Sequence, residues 1–208
     1  MEAALKRECR RVELKREWPP GQIRARRFVI YDVFDPPKIK PEEHVIAIKG
    51  EVERRLELPL AKLATEYPCV DLTAPFHCVT GWSVEAATWR GTPVRLLLDE
   101  AGARGGHALA WGADGYSAYL PLEALEEETT IIAWAMNGEL LPLKHGAPAR
   151  LVVPTRYGWK SVKYFKELEV LAAPVPGYWE LAGYSMSGDP WKEERLGPPP
   201  MRGRRTSF

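Results

Sequence analysis

Glycine and proline interrupt this chain so often that we expect many turns and few long regular elements. Together they account for 36 of its 208 residues. Proline removes a backbone donor and glycine favours turns, so closely spaced breaks confine the chain to short elements. Many of the runs between breaks are β-branched or alternate with polar residues, as strands do. We therefore predict an α+β or mainly β domain with many short strands and few short helices, and not a helical bundle.

The same patterns place individual elements. Strands are predicted at 45–48, 52–58, 70–78, 108–111, 116–120, 130–136, 150–153 and 168–171, and helices at 60–67 and 94–101. Gly102 closes the second helix, and Asn137-Gly138 is the strongest hairpin signal in the chain. Residues 1–17 can form a helix, but its apolar stripe is thin, so we expect a solvated, partly docked arm.

We expect three parts along the chain. Residues 1–27 form an N-terminal arm, residues 28–195 a single domain, and residues 196–208 a flexible basic tail. The tail is predicted because three prolines and three arginines follow one another with few apolar residues between them.

Charge and composition exclude several classes of protein. Lysine and arginine number 29 against 28 acidic residues, so net charge gives no case for nucleic acid. No apolar run is long enough to span a membrane, and the charged N-terminus lacks a secretory signal, so a cytoplasmic location is the default. Three cysteines are an odd number, so we expect no disulfide framework and at least one free thiol.

Cys78 is the first candidate for chemistry, since it ends an alternating strand and is followed by Gly81-Trp82-Ser83. Rigid scaffolds often present reactive groups at such strand ends, although an isolated cysteine is more often a small buried hydrophobe. The spacings of cysteine and histidine match no zinc site. A single thiolate could still bind a thiophilic metal that brings its other ligands with it.

A basic stretch is the second candidate. It carries one histidine and four cations in 19 residues, namely His145, Arg150, Arg156, Lys160 and Lys163. A solvated basic face is the common explanation for such a run. Here the cations bracket an apolar strand and lie among aromatic residues, which favours a pocket wall that receives an anion. No phosphate-binding loop of the nucleotide-binding kinds is present.

Taken together, these residues resemble the sulfite oxidase family of molybdopterin enzymes. The resemblance is carried by Phe76 to Ser83, Trp89-Arg90-Gly91-Thr92-Pro93, Asp114-Gly115-Tyr116, Met136 to Pro142, His145-Gly146, Pro148 to Pro154, Gly158 to Lys163, and Gly177-Tyr178-Trp179. It covers about residues 28–195 and is closest to the short bacterial sulfite-oxidase-like oxidoreductases.

The resemblance implies the family's α+β molybdopterin-binding domain, with mixed sheets and short helices around a deep pocket. It implies molybdenum held by molybdopterin in its plain phosphate form (Mo-MPT), with Cys78 as the protein's metal ligand and a catalytic residue. Tyr116 is the second catalytic candidate, although a half-buried strand tyrosine is about as plausible. The cofactor-binding residues that it implies are Phe28, Tyr31, Phe76, His77, Cys78, His145, Arg150, Arg156, Gly158, Lys160, Ser161, Val162 and Lys163.

The predicted activity is oxygen-atom transfer to or from a small sulfur- or nitrogen-containing molecule, with an external electron-transfer partner because no haem motif is present. The arginine pair of animal sulfite oxidases is missing after the cysteine loop, which argues against sulfite. Three alternatives stay open. They are a cofactor-binding protein without turnover, a thiol enzyme using Cys78 with His77 or His145, and an interaction module using the basic tail.

Overall fold

The computed structural model describes residues 1–197. Most of the predicted basic tail therefore lies outside the described residues. The strands are β1 (Arg10–Glu13), β2 (Ile23–Arg24), β3 (Val45–Gly50), β4 (Leu56–Pro59), β5 (Val70–His77), β6 (Trp82–Pro93), β7 (His107–Gly112), β8 (Ser117–Pro121), β9 (Ile131–Met136), β10 (Glu139–Leu140), β11 (Arg150–Val152) and β12 (Phe165–Leu171). The helices are α1 (Glu2–Leu5), α2 (Leu60–Glu66), α3 (Val94–Ala101), α4 (Leu122–Glu126) and α5 (Tyr178–Leu181). Three single 3₁₀ turns lie at Leu143–His145, Gly158–Lys160 and Pro190–Lys192.

The strands form two mixed sheets, which confirms the predicted α+β class. The larger sheet has the order β1-β5-β6-β9-β10, with β11 also paired to β9 and β2 to the start of β6. The smaller sheet has the order β4-β3-β12-β7-β8. The long antiparallel strands β5 and β6 are joined by the turn that carries Cys78. Cys78 therefore lies where these two inner strands of the larger sheet end.

The helices fill the space beside the sheets. In α3, the residues Val94, Leu97, Leu98 and Ala101 are buried, which is the spacing of one helical face. Gly102 ends the helix in the left-handed conformation at φ 64°, where residues with a side chain are strained. Both bounds agree with the prediction, because a proline before the helix and a glycine after it mark its ends.

The core is continuous across the elements of both sheets. All six residues of β9 are buried, since this strand lies inside the larger sheet and is covered on both faces. Trp134 of β9 belongs to the larger apolar cluster, while its neighbours Ile131 and Ala133 belong to a second cluster on the other face.

The N-terminal segment differs from the prediction in two respects. The helix predicted over 1–17 covers only α1, and residues 10–13 form β1, which pairs in parallel with β5. This pairing places Cys9 beside Cys69, and the two form a disulfide, a single bridge that the expectation of no disulfide framework did not include. An odd number of cysteines leaves room for one bridge, and Cys78 is the free thiol. Because disulfides are rare in reducing compartments, the bridge weighs against the cytoplasmic location, which stays a prediction.

Within residues 1–197 we find no helix with the length and hydropathy that crossing a membrane requires.

Candidate active site

A cavity of about 400 Å³ lies at the end of the β5–β6 pair. Its walls come from six segments that are far apart in the chain: 28–33, 76–82, 114–116, 144–150, 158–163 and 179–184. Ten of the predicted site residues line it: Phe28, Tyr31, Phe76, Cys78, Tyr116, His145, Arg150, Gly158, Ser161 and Lys163. The fold thus brings the cysteine loop and the basic stretch together, and the volume is in the range of small-molecule sites.

The cysteine loop is a tight turn between β5 and β6. The Cys78 amide donates to the Trp82 carbonyl over 2.8 Å, and the Gly81 amide donates to the Cys78 carbonyl over 3.1 Å. Gly81 has φ 95°, which only glycine adopts easily. Cys78 Sγ is half-buried at the cavity wall, 3.2 Å from the Thr80 hydroxyl oxygen. The loop therefore holds a free thiol at a fixed position.

Buried polar side chains hold this loop from the side that faces away from the cavity. His77 is 1% exposed, and its Nδ1 lies 2.7 Å from the Ser83 hydroxyl, which donates to Gln22 Oε1 over 2.8 Å. Gln22 Nε2 in turn donates to the Cys78 carbonyl over 3.2 Å. Because adjacent strand residues point to opposite faces, His77 lies between Trp18 and Trp191 and does not line the cavity.

Arg150 is the buried cation of the site. Its Nη1 donates to the His145 carbonyl over 3.0 Å and its Nη2 to the Ser161 carbonyl over 2.8 Å. Among the described residues no carboxylate forms an ion pair with it. Burial lowers the pKa of Arg150 to about 10, so it keeps its charge at neutral pH. A buried charge without a counter-charge is costly, which marks this position as one that receives an anion.

His145 and Lys163 flank this cation. Burial, and then the charge of Arg150, lower the pKa of His145 to about 4, so its ring is neutral at pH 7. Phe28 packs edge-on against that ring at 5.2 Å between centroids. Lys163 forms an ion pair with Asp32, whose carboxylate also accepts from the Tyr164 hydroxyl. The exposed segment that contains Asp32 therefore reaches into the site.

The predicted catalytic tyrosine lies in the cavity wall just before β8. The Tyr116 hydroxyl donates to the Trp159 carbonyl over 2.7 Å, and burial raises its pKa well above the ordinary value. The phenol is therefore a neutral hydrogen-bond donor in this arrangement. Its backbone amide donates to Asp114 Oδ1 over 3.0 Å, so Asp114 is a second carboxylate of the cavity.

Lys160 does not line the cavity, although its sequence position predicted a cofactor contact. Its Nζ is fully buried and pairs with Glu180 Oε1 at 2.5 Å. It also donates to the Tyr119 and Met186 carbonyls, each over 2.7 Å. The predicted anion partner is thus replaced by a carboxylate of this chain, and the pair ties the Gly158–Lys160 turn to α5.

Arg156 and Val162 also lie outside the cavity wall. The Arg156 guanidinium forms ion pairs with the carboxylates of Glu127, at 3.8 Å from Nη1 to Oε1, and of Glu123, at 3.9 Å from Nη2 to Oε1. Val162 is fully buried in the larger apolar cluster. Gly158 does line the cavity, but a Cβ there would lie 2.3 Å from Phe76 Cζ, so its small size accommodates the phenylalanine ring.

Sequence reasoning missed several residues of the wall. They are Asp32, Thr80, Asp114, Lys144, Trp159, Trp179 and Tyr184. Trp179 lies in α5 and Tyr184 just after it, and their rings tilt against each other in the cavity wall at 4.9 Å between centroids. The aromatic residues of this late segment were a usable signal, because exposed tails seldom carry so many. Thr80 lies within the run Phe76 to Ser83 that carries the resemblance, whereas nothing in the local sequence marked Asp32.

The fold and this site define a class of protein: a mixed α+β domain with one cavity wall that carries both a free cysteine and a buried cation. Within residues 1–197 no group of three or more histidine, cysteine or acidic side chains could hold a metal alone. A metal at Cys78 would need other ligands from its cofactor. The chain matches the family model described as "Oxidoreductase molybdopterin binding domain" over residues 33–179, and it belongs to that family.

Relatives support the same assignment. The chain is 32% identical to the uncharacterized oxidoreductase YuiH of Bacillus subtilis (strain 168), over 86% of this chain and 91% of that protein. It is 29% identical to sulfite oxidase of Gallus gallus, over 80% of this chain but only 44% of the relative. It is also 32% identical to the putative protein-methionine-sulfoxide reductase subunit YedZ1 of Azospira oryzae, over 58% and 47% of the two chains.

A solved structure has the same fold. The sulfane dehydrogenase SoxCD from Paracoccus pantotrophus superposes with a TM-score of 0.61 at 27% identity, over 67% of this chain and 41% of that chain. This chain thus spans less than half of sulfite oxidase and of the SoxCD chain. The family and these relatives identify an oxidoreductase and indicate a molybdopterin cofactor.

The residues of the cavity fit that cofactor. Its phosphate would meet Arg150, the buried cation that lacks a carboxylate partner among the described residues, with Lys163 nearby. Cys78 offers a single soft sulfur, which suits a metal whose other sulfurs belong to the cofactor.

Proposed function

We propose that this protein is a molybdenum-molybdopterin enzyme that transfers an oxygen atom to or from a small sulfur- or nitrogen-containing substrate. The proposal rests on one observation: a free thiol, Cys78, and a buried cation without a carboxylate partner among the described residues, Arg150, line the same cavity. In the family to which the chain belongs, such a pairing suits a metal at one end of the cofactor and a phosphate at the other.

The chain's own residues have distinct roles in this proposal. Cys78 is the metal ligand, and the turn around Gly81 fixes its position. Arg150 and Lys163 hold the phosphate, and the neutral His145 contacts the pterin. The Tyr116 hydroxyl donates to the Trp159 carbonyl in the empty cavity, and in this proposal it turns from that carbonyl to donate to the substrate oxygen. When bound, the cofactor supplies the two-electron redox chemistry.

The overall reaction balances as X + H₂O giving XO, two protons and two electrons, or its reverse. The electrons pass to or come from an external partner, which stays a prediction. The direction is left open by the residues of the cavity.

A thiol enzyme is less well supported. Among the described residues, the Thr80 hydroxyl is the hydrogen-bond partner of Cys78 Sγ, and no imidazole forms a hydrogen bond with this sulfur. His77 Nδ1 is occupied by Ser83 on the other face of the strand. Neither candidate base is thus placed to activate the thiol.

Molybdenum content tests the proposal. We would measure molybdenum per chain by elemental mass spectrometry, after expression in a molybdate-fed host that makes the cofactor. We expect about one molybdenum per wild-type chain, and a changed molybdenum spectrum with activity reduced at least about a hundredfold in Cys78→Ser. Thr65→Ser is the matched control, since it is a conservative change on the exposed face of α2 and keeps the hydroxyl that donates to the Ala61 carbonyl.

Turnover is assayed in both directions with artificial redox dyes. Reduced viologen would be the donor for S-oxides and N-oxides, and ferricyanide the acceptor for sulfite. Wild-type protein without molybdenum, from a host that loads another molybdenum enzyme, would contradict the proposal. Loaded protein without turnover of any compound would favour the cofactor-binding alternative.

A further inference from the structure

A segment far upstream in the chain supports the cysteine loop. The Ile23 amide donates to the Gly81 carbonyl over 2.9 Å, and β2 pairs in parallel with the start of β6. Because of this pairing, the residue before β2, Gln22, lies beside the turn that carries Cys78, and it is 8% exposed. Gln22 lies outside residues 33–179, the part of the chain that matches the family model. The match therefore assigns no role to this buried amide.

The Gln22 side chain joins a buried chain of hydrogen bonds to the Cys78 backbone. Its Nε2 donates to the Cys78 carbonyl over 3.2 Å, and its Oε1 accepts from the Ser83 hydroxyl over 2.8 Å. A carbonyl can only accept, so the amide has to face it with Nε2. The Ser83 hydroxyl gives its one hydrogen to Gln22, so His77 Nδ1 is the donor of the 2.7 Å bond to that hydroxyl. The bonds therefore run in one direction, from His77 to Cys78, and such bonds polarise one another.

The peptide groups on both sides of Cys78 are held by hydrogen bonds. The amide donates to the Trp82 carbonyl over 2.8 Å, and the carbonyl accepts from the Gly81 amide over 3.1 Å and from Gln22. Because peptide groups are planar, fixing both of them fixes the backbone angles of Cys78 and the direction of its Cα–Cβ bond. On the side of the cavity, Sγ has the Thr80 hydroxyl as its hydrogen-bond partner, 3.2 Å away. The direction of the sulfur is therefore set mainly by the backbone, to which Gln22 bonds.

Gln22 is itself held in place. Its carbonyl accepts from the Trp18 indole nitrogen over 2.8 Å, and Arg195 Nη2 donates to the carbonyl of the preceding residue, Gly21, over 3.1 Å. The Trp18 ring packs edge-on against His77 at 5.9 Å between centroids, so it also covers the far end of the hydrogen-bonded chain. A side chain that is already ordered has little rotamer freedom left to lose when it holds another group.

We infer that Gln22 is a positioning residue for the metal ligand: its bond to the Cys78 carbonyl keeps Sγ directed into the cavity. The inference rests on the proposed function, in which Cys78 binds the metal, and adds a residue that acts through the backbone. Without this bond, the carbonyl keeps only the bond from the Gly81 amide, so the peptide can turn and the sulfur can take more than one position. Removing a group that orients a metal ligand commonly lowers affinity or activity by roughly 10–100-fold.

Gln22→Met tests the inference in the cofactor-free protein. Methionine is close to glutamine in length and has no amide to donate or accept. Protein labelled with ¹³C at the cysteine Cβ gives separate signals for the bridged Cys9 and Cys69 and for the free Cys78. We expect one sharp Cys78 signal in the wild type and a broadened or split one in Gln22→Met, because exchange between positions broadens or splits a signal. The signals of the bridge should stay unchanged.

Thr130→Val is the matched control. The Thr130 hydroxyl is buried and donates to the Ala124 carbonyl over 2.6 Å, outside the cavity wall, so this variant also removes a bond from a buried side chain to the backbone. It should lower the stability of the fold and leave the Cys78 signal sharp. A role of Gln22 in stability alone predicts the same spectrum for both variants. Gln22→Asn, whose amide is too short to keep both bonds, is the second variant in case Gln22→Met does not fold, and it should broaden the Cys78 signal as well.

The molybdenum-loaded protein gives a second measurement besides activity. In the half-reduced, paramagnetic state, the electron paramagnetic resonance spectrum of molybdenum depends on the direction of its sulfur ligand. We expect one set of g values in the wild type and in Thr130→Val, and a shifted or mixed set in Gln22→Met. Molybdenum content should fall less than about twofold in Gln22→Met, because the cations of the phosphate end are unchanged, while kcat with reduced viologen should fall about tenfold.

The possible outcomes separate the inference from the proposed function. A single sharp Cys78 signal in a folded Gln22 variant, or unchanged g values in its loaded form, would overturn the inference and leave the proposed function standing. Equal broadening in Thr130→Val would overturn it as well, since the effect would then follow stability and not the bond. Wild-type protein that takes up no molybdenum would overturn both proposals.

Discussion

Arg150 has an unusual environment for an arginine in a protein interior. It is 4% exposed and bonds to carbonyls, with no carboxylate partner among the described residues. Carbonyl dipoles compensate a full charge only in part. The empty protein therefore keeps a local destabilisation that an anion would relieve.

Replacing this arginine separates stability from binding. In Arg150→Met we expect the cofactor-free protein to be at least as stable as the wild type, because an uncompensated charge becomes an apolar side chain. Cofactor content should fall at least about tenfold. Urea denaturation and elemental analysis measure the two effects, and a variant that loses stability but still loads fully would contradict this account.

His145 makes stability depend on pH. Its pKa is about 4 in the folded chain and near 6.5 when unfolded, so the unfolded state binds more protons between these values. Stability should therefore be lost as pH falls from about 6.5 to about 4. In His145→Gln the decline should be smaller by about 2 kcal/mol at pH 4. Cofactor-free protein would be unfolded with urea across this range, and parallel curves for the two proteins would contradict the prediction.

The sequence identified the chemistry of the site better than the direction of individual side chains. Cys78 and the basic stretch were recognisable because their residue types are unusual in that setting. Which of the two lysines, Lys160 or Lys163, faces the cavity was not recognisable, since each pairs with a carboxylate that is distant in the chain and only Lys163 lies in the wall. Glu180 pairs with Lys160 and Asp32 with Lys163, and both partners come from remote segments.

Among the elements, β1 depends most on a long-range contact. It is four residues long, exposed for the most part, and joined to β5 by parallel pairing next to the Cys9–Cys69 bridge. So short a strand gains little from its own sequence. The bridge holds it in place across a separation of 60 residues.

Removing the bridge should be costly. For a closed loop of this length the chain-entropy account gives a loss of about 4 kcal/mol in Cys9→Ser/Cys69→Ser. Reducing agent should lower the stability of the wild type similarly and leave the double variant unaffected. Guanidinium unfolding under oxidising and reducing conditions measures both, and no response of the wild type to reduction would contradict the bridge.

The contrast between α3 and the strands β1 and β6 shows what local sequence can predict. The bounds of α3 were predictable because a proline precedes it, Gly102 ends it and its apolar residues keep one spacing. β6 was not predicted, although it has 12 residues, because polar residues interrupt its pattern and its shape is set by pairing with β5 and β9. The strand β1 was taken for helix for the same reason: its partner is far away in the chain.

The buried pair Lys160–Glu180 joins two short elements that line the cavity. Glu180→Gln should leave the lysine charge without a partner and cost about 3 kcal/mol. The double variant Lys160→Met/Glu180→Gln should be less destabilised than the sum of the two single variants. Urea unfolding of the wild type, Lys160→Met, Glu180→Gln and the double variant gives the coupling free energy of the pair. Strictly additive changes in the free energy of unfolding would contradict a coupled pair.

At the scale of the whole molecule, the cavity is where separate parts of the chain meet. Its wall uses the N-terminal segment, the end of the larger sheet, the turn after β11 and the segment after α5. A ligand that touches all of them acts as a cross-link between distant parts. Binding should therefore raise the stability of the entire fold.

We expect cofactor-loaded protein to unfold about 5–10 °C above the empty protein, on the basis of tight binding and a chain of this size. In Arg150→Met the difference in melting temperature between preparations made with and without cofactor should nearly vanish. Scanning fluorimetry of the loaded and empty fractions measures these melting temperatures. Equal melting temperatures of the two wild-type fractions would count against a ligand that contacts all the walls.

The unpaired charge of Arg150 also has a consequence for the living cell. A chain that waits for its cofactor opens more often than a filled one, and open chains are the ones that proteases degrade. The amount of protein should then follow the supply of molybdenum without any change in transcription. Starving the producing cell of molybdate would shorten the half-life of the wild type and spare Arg150→Met, so one buried cation would couple nutrient supply to protein abundance.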